Sequence, residues 1–166
     1  MADPIALRVL YGFRDRLQAI TGGAPYNTEA GQNVFIGAGT VDAESKIPCV
    51  VIVEGEETAT QTAAGGGQGV AAGQSTKMQI ALNVNVEGYL AAAQSNTGEQ
   101  QAKLKADIKR AVMGPGPIAH SGLTIGPITY LGAEPFTRED GSNAEGVRVR
   151  FVATYTEKWG DPDAKQ

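Results

Sequence analysis

The spacing of hydrophobic and polar positions divides the chain into helical and extended segments. Near the start, apolar side chains recur every three or four residues, at Ile5, Val9, Leu10, Phe13, Leu17 and Ile20. This spacing predicts a helix with one buried face. We expect Asp3 to cap that helix and Pro4 to occupy its first turn. Gly22 and Gly23 predict where it ends.

A second helix is predicted over Glu99–Met113. The preceding segment Thr97–Gln100 has the spacing of a capping box, in which the first and last side chains bond each other's backbone. The buried side is expected to carry Leu104, Ile108, Ala111 and Val112. The Gly-Pro-Gly-Pro stretch Gly114–Pro117 ends the helical pattern, because proline cannot continue a helix.

Strict alternation of apolar and polar residues predicts two long strands. The first begins at Lys77, and its apolar face is Met78, Ile80, Leu82, Val84 and Val86. The second runs over Val147–Thr156, and its apolar face is Val147, Val149, Phe151, Ala153 and Tyr155.

Three shorter strands are predicted as well. They cover Gln32–Ile36, Ile47–Val53 and Ile125–Phe136. The β-branched residues of Ile47–Val53 favour a central strand, with Pro48 tolerated at its start. Pro127 and Gly132 interrupt the last segment, which predicts a bent strand or an edge strand. The loop 138–146 then joins it to the closing strand as a hairpin.

Together these elements predict one α+β domain over residues 1–166, with two helices packed on one face of a mostly antiparallel sheet. A chain of 166 residues is long enough for one core. We expect that core to contain Leu17, Val51, Ile80, Leu82, Val84, Ile108, Val149 and Phe151. The polar tail 160–166 is expected to fray.

The segment Thr58–Thr76 has no charge, no aromatic residue and one large apolar side chain, Val70. Such a composition buries too little surface to offset the entropy lost on ordering. Long structureless insertions are also uncommon in compact domains. We therefore expect residues 54–76 to form an arm that becomes ordered against a neighbouring molecule, and a plain surface loop is the alternative. Candidate contact residues are Glu54, Glu56 and Glu57 at its root, and Gly65, Gly66, Gly67, Gly69 and Val70 within it.

Composition and charge limit the classes of partner that this chain is expected to bind. The chain has 14 basic and 18 acidic residues, a net charge of -4. The basic stretch Lys103–Arg110 suits a solvated helix face, so sequence-specific DNA binding is not expected. We expect neither a signal peptide nor a membrane span, because no apolar segment has the required length. Cys49 lies in an apolar run and is expected to be a buried free thiol.

Catalytic and cofactor chemistry has little support in the sequence. A zinc site usually needs three or four nitrogen or sulfur ligands, and the chain has one His and one Cys. His120 is expected on the surface. The glycine patterns of Val34–Gly39 and Gly67–Ala72 resemble dinucleotide fingerprints, but neither opens a helix. The acidic loops are expected to be solvated rather than cation-binding. We therefore expect no enzyme activity, no cofactor and no metal.

Four stretches carry a resemblance to a known family. They are the helical PIALRVLYGFRDRLQAI, the strand PCVVIVEGEE, the helical QAKLKADIKRAVM and the hairpin YLGAEPFTREDGSNAEGVRVRFVATYTEKWGDP. Their order and character resemble the tail-terminator, or tail-completion, proteins of tailed bacteriophages. The resemblance covers most of the chain and rests on element order rather than on a signature motif.

The resemblance implies a structural virion protein with no catalytic residues. Such a protein forms a six-membered ring of identical subunits, caps the tail tube, ends tail elongation and offers a docking surface to the head. Its partners would be further copies of itself, the tail tube protein and the head–tail connector protein. It would be made in the bacterial cytoplasm and reside in the virion tail. The alternatives are another head–tail neck or adaptor protein, and a small ligand-binding or enzymatic α+β domain.

Overall fold

The computed structural model describes residues 3–37, 46–62, 77–92, 96–137, 144–158 and 162–163. Within these ranges the elements follow in the order α1 (Ile5–Leu17), a 3-10 turn (Ala30–Gln32), β1 (Val34–Ile36), β2 (Cys49–Thr62), β3 (Lys77–Ala91), α2 (Thr97–Val112), β4 (Ala119–His120), β5 (Leu123–Thr124), β6 (Ile128–Thr137) and β7 (Ala144–Lys158). The expected α+β fold with two helices and a mostly antiparallel sheet is confirmed.

The first helix buries the apolar stripe that the spacing predicts. Its start and end differ from the prediction. Pro4 is the N-cap and no side chain caps the helix, so Asp3 does not have the expected role. The helix ends at Leu17 rather than near Gly22, because the chain turns back there and the Ile20 carbonyl accepts a bond from the Gly31 N–H.

The second helix begins two residues earlier than expected, at Thr97. The residue before it, Asn96, has a left-handed backbone with φ of 72°, and its side chain makes no capping bond. Its backbone oxygen instead accepts bonds from the N–H groups of Glu99 and Gln100. The buried side holds the four predicted apolar residues and one acid, Asp107.

The main sheet has the strand order β1-β2-β3-β7-β6 among the described residues. Its neighbouring strands are antiparallel except for the short parallel pair of β1 and β2. The long strands β3 and β7 lie in the middle, where their alternating apolar residues face the helices. A separate hairpin of β4 and β5, which the sequence pattern does not predict, packs beside α1.

Strand β2 is longer than predicted, since it continues from Val53 to Thr62 along β3. The register shifts between Glu54 and Glu57, where β2 accommodates one extra residue. Gly55 allows this close approach, because a Cβ atom there would lie 2.9 Å from the Asn83 Cβ. The root predicted for the arm is therefore strand, and residues 63–76 lie outside the described residues.

The main core lies between the helices and the sheet, and it contains the predicted core residues except Val51. Val51 is buried in a smaller cluster with Cys49 and Tyr89. A continuous apolar run does not show which alternate positions face the helices. The prediction that Val51 lies in the core under the helices was therefore wrong.

Strand β6 is an edge strand, as predicted, with an irregular register between Tyr130 and Gly132. Its pairing with β7 confirms the hairpin, and the connecting residues 138–143 lie outside the described part. Of the tail predicted to fray, Pro162 and Asp163 are described. The Pro162 carbonyl accepts a bond from the Ile5 N–H at the start of α1.

Candidate interaction site on the outer face of the sheet

The face of the main sheet opposite the helices is called the outer face here. Alternate residues of β3, β6 and β7 place a polar and aromatic group on it: Glu87, Tyr89, Glu134, Phe136 and Arg148. The cross-strand register brings them together, since Glu87 and Glu134 both lie opposite Arg148. We call this group the outer-face network.

Arg148 is the centre of the outer-face network. Its Nε and Nη2 atoms lie 2.9 and 2.8 Å from the Glu87 Oε1 atom. Its Nη1 atom lies 3.6 Å from the Glu134 carboxylate. The bond with Glu87 raises the pKa of the Arg148 guanidinium above its ordinary value, against a smaller opposing effect of burial. The two carboxylates therefore hold the guanidinium in one orientation.

The aromatic members fix the other side of the network. The Tyr89 hydroxyl donates to the Glu87 Oε2 atom at 2.7 Å. The Tyr89 and Phe136 rings meet edge to face with centroids 5.2 Å apart, and the Arg148 Cζ atom lies 5.7 Å from the Phe136 centroid. Phe136 also closes over Gly146, where an added Cβ would meet its ring at 2.7 Å. Each side chain is thus positioned by at least one other.

The network remains accessible at its rim. The side chains of Arg148 and Glu134 are 42% and 52% exposed, whereas that of Glu87 is 14% exposed. Half-buried Phe35, Ile47 and Val53 extend the surface around the Cys49 cluster. Aromatic residues and arginine on a rigid apolar support are the residue types that dominate binding energy in protein interfaces. The arrangement is suited to binding a protein surface.

The acidic residues predicted at the root of the arm do not join this network. Glu54, Glu56 and Glu57 are exposed on β2. Glu57 lies opposite Leu82 and therefore on the helix side, where it accepts a 2.8 Å bond from the Tyr155 hydroxyl. The other predicted contact residues, Gly65, Gly66, Gly67, Gly69 and Val70, lie outside the described residues.

A small group of ionisable side chains surrounds this bond. Burial, followed by the bond to Glu57, raises the pKa of the Tyr155 hydroxyl well above its ordinary value. Glu157 is next along the same side of β7, and partial burial and then the charge of Glu57 raise its pKa. The group joins β2 and β7 across β3.

The single His contacts neighbouring elements of the fold, and the single Cys is buried. The His120 Nδ1 atom lies 2.7 Å from an Asp15 carboxylate oxygen, and the side chain is 21% exposed. Its ring also meets Tyr11, with centroids 5.2 Å apart. His120 thus ties the β4–β5 hairpin to α1. Cys49 is a buried cysteine, and its burial agrees with the prediction from the sequence.

The chain also has an apolar depression of about 420 Å³ between the end of α2 and the start of β6. Its lining includes Met113, Pro117, Ile118, Pro127 and Ile128 and carries no ionisable side chain. Within the described ranges, no three His, Cys, Asp or Glu side chains gather as metal ligands would. In the same ranges no helix is long and apolar enough to span a membrane.

The chain was also compared with known proteins. No protein-family model matches it, and no curated protein sequence matches it.

Sequence reasoning missed all five members of the outer-face network. Their types were visible as alternating charged and aromatic residues in β3 and β6, with Arg148 in β7. Their proximity depends on the register that places Glu87, Arg148 and Glu134 in one row, and periodicity alone does not give that register. A charge match between alternating positions of two predicted neighbouring strands is the signal that points to it.

Proposed function

We propose that this chain is a structural assembly subunit that forms a cyclic homo-oligomer and caps a phage tail tube, as tail terminators do. The observation that carries the proposal is the outer-face network, a positioned arrangement of Arg, Tyr and Phe on the sheet face that neither described helix covers. The resemblance in element order supplies the biological setting, with the tail tube and the head–tail connector proteins as further partners and the virion tail as its location.

A domain whose sheet has helices on one face and an interaction surface on the other suits head-to-tail association. One face of the sheet is covered by helices and the other carries the network, so two different surfaces are available on each subunit. When such a contact joins different surfaces and its rotation closes, the product is a ring. A ring presents one end to the tube and the other to the head, which is the geometry that a terminator needs.

The network can be tested by reversing one charge at its rim. Glu134 is exposed and its 3.6 Å pair with Arg148 is long, so Glu134→Arg should leave the fold intact. Glu99→Arg is the matched control, since it changes the net charge equally at an exposed acid of α2. We expect Glu134→Arg to raise the concentration at which the protein associates by about tenfold or more, and Glu99→Arg to leave it unchanged. Equal association of both variants in sedimentation velocity would contradict a role for this face.

The predicted arm has a separate test. We propose that it contacts a neighbouring subunit or the tail tube, with Glu54, Glu56 and Glu57 steering that contact. Deletion of Gly65–Gly73 should preserve folding while reducing ring formation or tail completion. A shortened protein that folds, forms rings and completes tails at normal yield would reject the role of the arm and leave that of the outer face standing.

A further inference from the structure

Glu145 is a buried carboxyl that has no hydrogen-bond partner among the described residues. It is the second residue of β7, opposite Leu90 of β3 and Thr137 of β6. The residue is 3% exposed, and within the described part of the chain neither carboxyl oxygen is hydrogen-bonded. Its register places it on the helix side, in the row of apolar residues that continues through Val147 and Val149.

The other deeply buried acid shows how this chain satisfies a carboxylate. Asp107 is fully buried, and its oxygens accept five hydrogen bonds from Asn27, Thr28 and Arg110. Glu145 receives none of this compensation. Buried polar groups in native proteins are nearly always bonded, and an exception points to a functional group or to a missing partner.

Glu145 lies close to one end of the main sheet. Ala144, before it, is the first residue of β7, and Leu90, opposite, is followed by the exposed final residue of β3, Ala91. The carboxyl therefore lies one residue from the end of the sheet. A glutamate side chain has three rotatable torsions, so its carboxyl can turn towards that end without movement of the strand.

We propose that the Glu145 carboxyl receives a lysine or arginine side chain from a neighbouring copy of this chain. This inference rests on the proposed ring. A basic side chain supplies the charge-assisted hydrogen bonds that a buried carboxylate lacks. Lys105 and Arg150 are exposed basic residues that make no ion pair in the described part of the chain, so a second copy offers cations of the required kind. In a closed ring every subunit would satisfy its Glu145 in the same way.

The test compares Glu145→Gln and Glu145→Leu with the wild type. Each variant removes the charge, and Glu145→Gln keeps the shape. In dilute isolated subunits we expect neither variant to lower the melting temperature, because no bond is lost there. In sedimentation velocity both should raise the dissociation constant of the oligomer by about 30-fold or more, because one side of a buried ion pair is removed.

The basic partner is identified by combining variants. If Lys105 or Arg150 is the partner, its substitution by Gln should weaken association when made by itself. The same substitution should cause no further weakening when it is combined with Glu145→Gln. A lowered melting temperature for dilute Glu145→Gln would overturn the inference, because it would show an internal partner. Unchanged association of both Glu145 variants would also overturn it. A wild-type protein that never associates would instead contradict the proposed ring itself.

Discussion

At the scale of single residues, Asp107 is the fixed point between α2 and the loop before the 3-10 turn. Its Oδ2 atom accepts bonds from the backbone N–H groups of Asn27 and Thr28 and from the Thr28 hydroxyl, at 2.8 to 2.9 Å. Its Oδ1 atom accepts bonds from the Asn27 amide and from Arg110. Arg110 also donates to the Pro25 carbonyl at 2.7 Å. One buried carboxylate thus fixes a loop that has few apolar anchors.

We predict that Asp107→Ala lowers the free energy of unfolding by about 3–5 kcal/mol, because it leaves buried donors unpaired beside an arginine that has lost its counter-charge. Urea denaturation measures this change. Lys103→Ala, which removes an exposed ion pair on the same helix, is the control and should leave the unfolding curve unchanged. A change below about 1 kcal/mol for Asp107→Ala would show that the loop is held by other contacts.

A second residue-scale prediction concerns pH. The pKa of Glu157 is raised by partial burial and then by the charge of Glu57. A carboxyl with a raised pKa in the folded state favours its protonated form there, so the stability that it contributes is lost as pH rises through that pKa. Glu157→Gln should therefore be more stable than the wild type at pH 7, with the difference disappearing near pH 4. An equal difference at both pH values would contradict the assignment.

At the scale of elements, α2 is seated on the sheet through Gly88 of β3. A Cβ atom at this position would lie 2.7 Å from the Leu104 Cδ2 atom and 3.0 Å from the Ile108 Cδ1 atom. The absent side chain thus sets the distance between helix and sheet, and two apolar side chains of α2 fill the space.

We predict that Gly88→Ala destabilises the fold by about 1–3 kcal/mol, as overpacking of a filled core does. Gly98→Ala is the matched control in α2, since a Cβ atom there meets nothing within 4 Å. That substitution should be neutral or stabilise the protein by up to about 1 kcal/mol. Thermal or urea unfolding of the two variants measures both effects, and equal stability of the two would reject this packing.

The central core gives a further element-scale prediction. Leu82 of β3 and Ile108 of α2 are both 0% exposed in the same cluster. Leu82→Ala or Ile108→Ala should each cost about 2–5 kcal/mol of stability, from lost burial and from the cavity that remains. Met113→Ala, at a side chain that is 50% exposed, should change the free energy of unfolding by less than about 0.5 kcal/mol. Near-neutral effects at both buried positions would contradict the packing of helix on sheet.

The elements show which parts of the fold can be predicted from the sequence. Strands β3 and β7 and the buried stripe of α1 were predictable, because periodic apolar positions define both the element and its face. The extension of β2 beyond Val53 was not, because residues after it show no apolar alternation and depend on pairing with β3. The β4–β5 hairpin has two residues in each strand, too few for a periodic signal.

The residues of the candidate site were harder to predict than the elements. The predicted acids Glu54, Glu56 and Glu57 are exposed. Glu54 and Glu57 both lie opposite helix-side residues of β3, because the extra residue in β2 shifts the register between them. Asp107 resembles an ordinary exposed acid of a charged helix until the loop that it binds is known. The Arg148 network depends on the register of three strands. Local sequence does not encode those long-range distances.

At the scale of the whole molecule, net charge is distributed unevenly between the two helices and the rest of the chain. The two helices carry seven basic residues and three acidic residues, a net charge of +4, within a chain whose net charge is -4. The remainder of the chain therefore carries -8. A molecule with one basic layer and an acidic remainder can orient copies of itself before contact. We predict that association weakens as salt concentration increases, and sedimentation at low and high salt measures this.

The most direct test of the proposed function is the assembly state of the purified wild-type protein, measured by native mass spectrometry and by electron microscopy of the same sample. We predict a closed ring of identical subunits, with the six-fold symmetry that the resemblance to tail terminators implies, that also binds the ends of tail tubes when they are added. Subunits that remain monomeric at every concentration, and that leave the ends of added tubes bare, would contradict it.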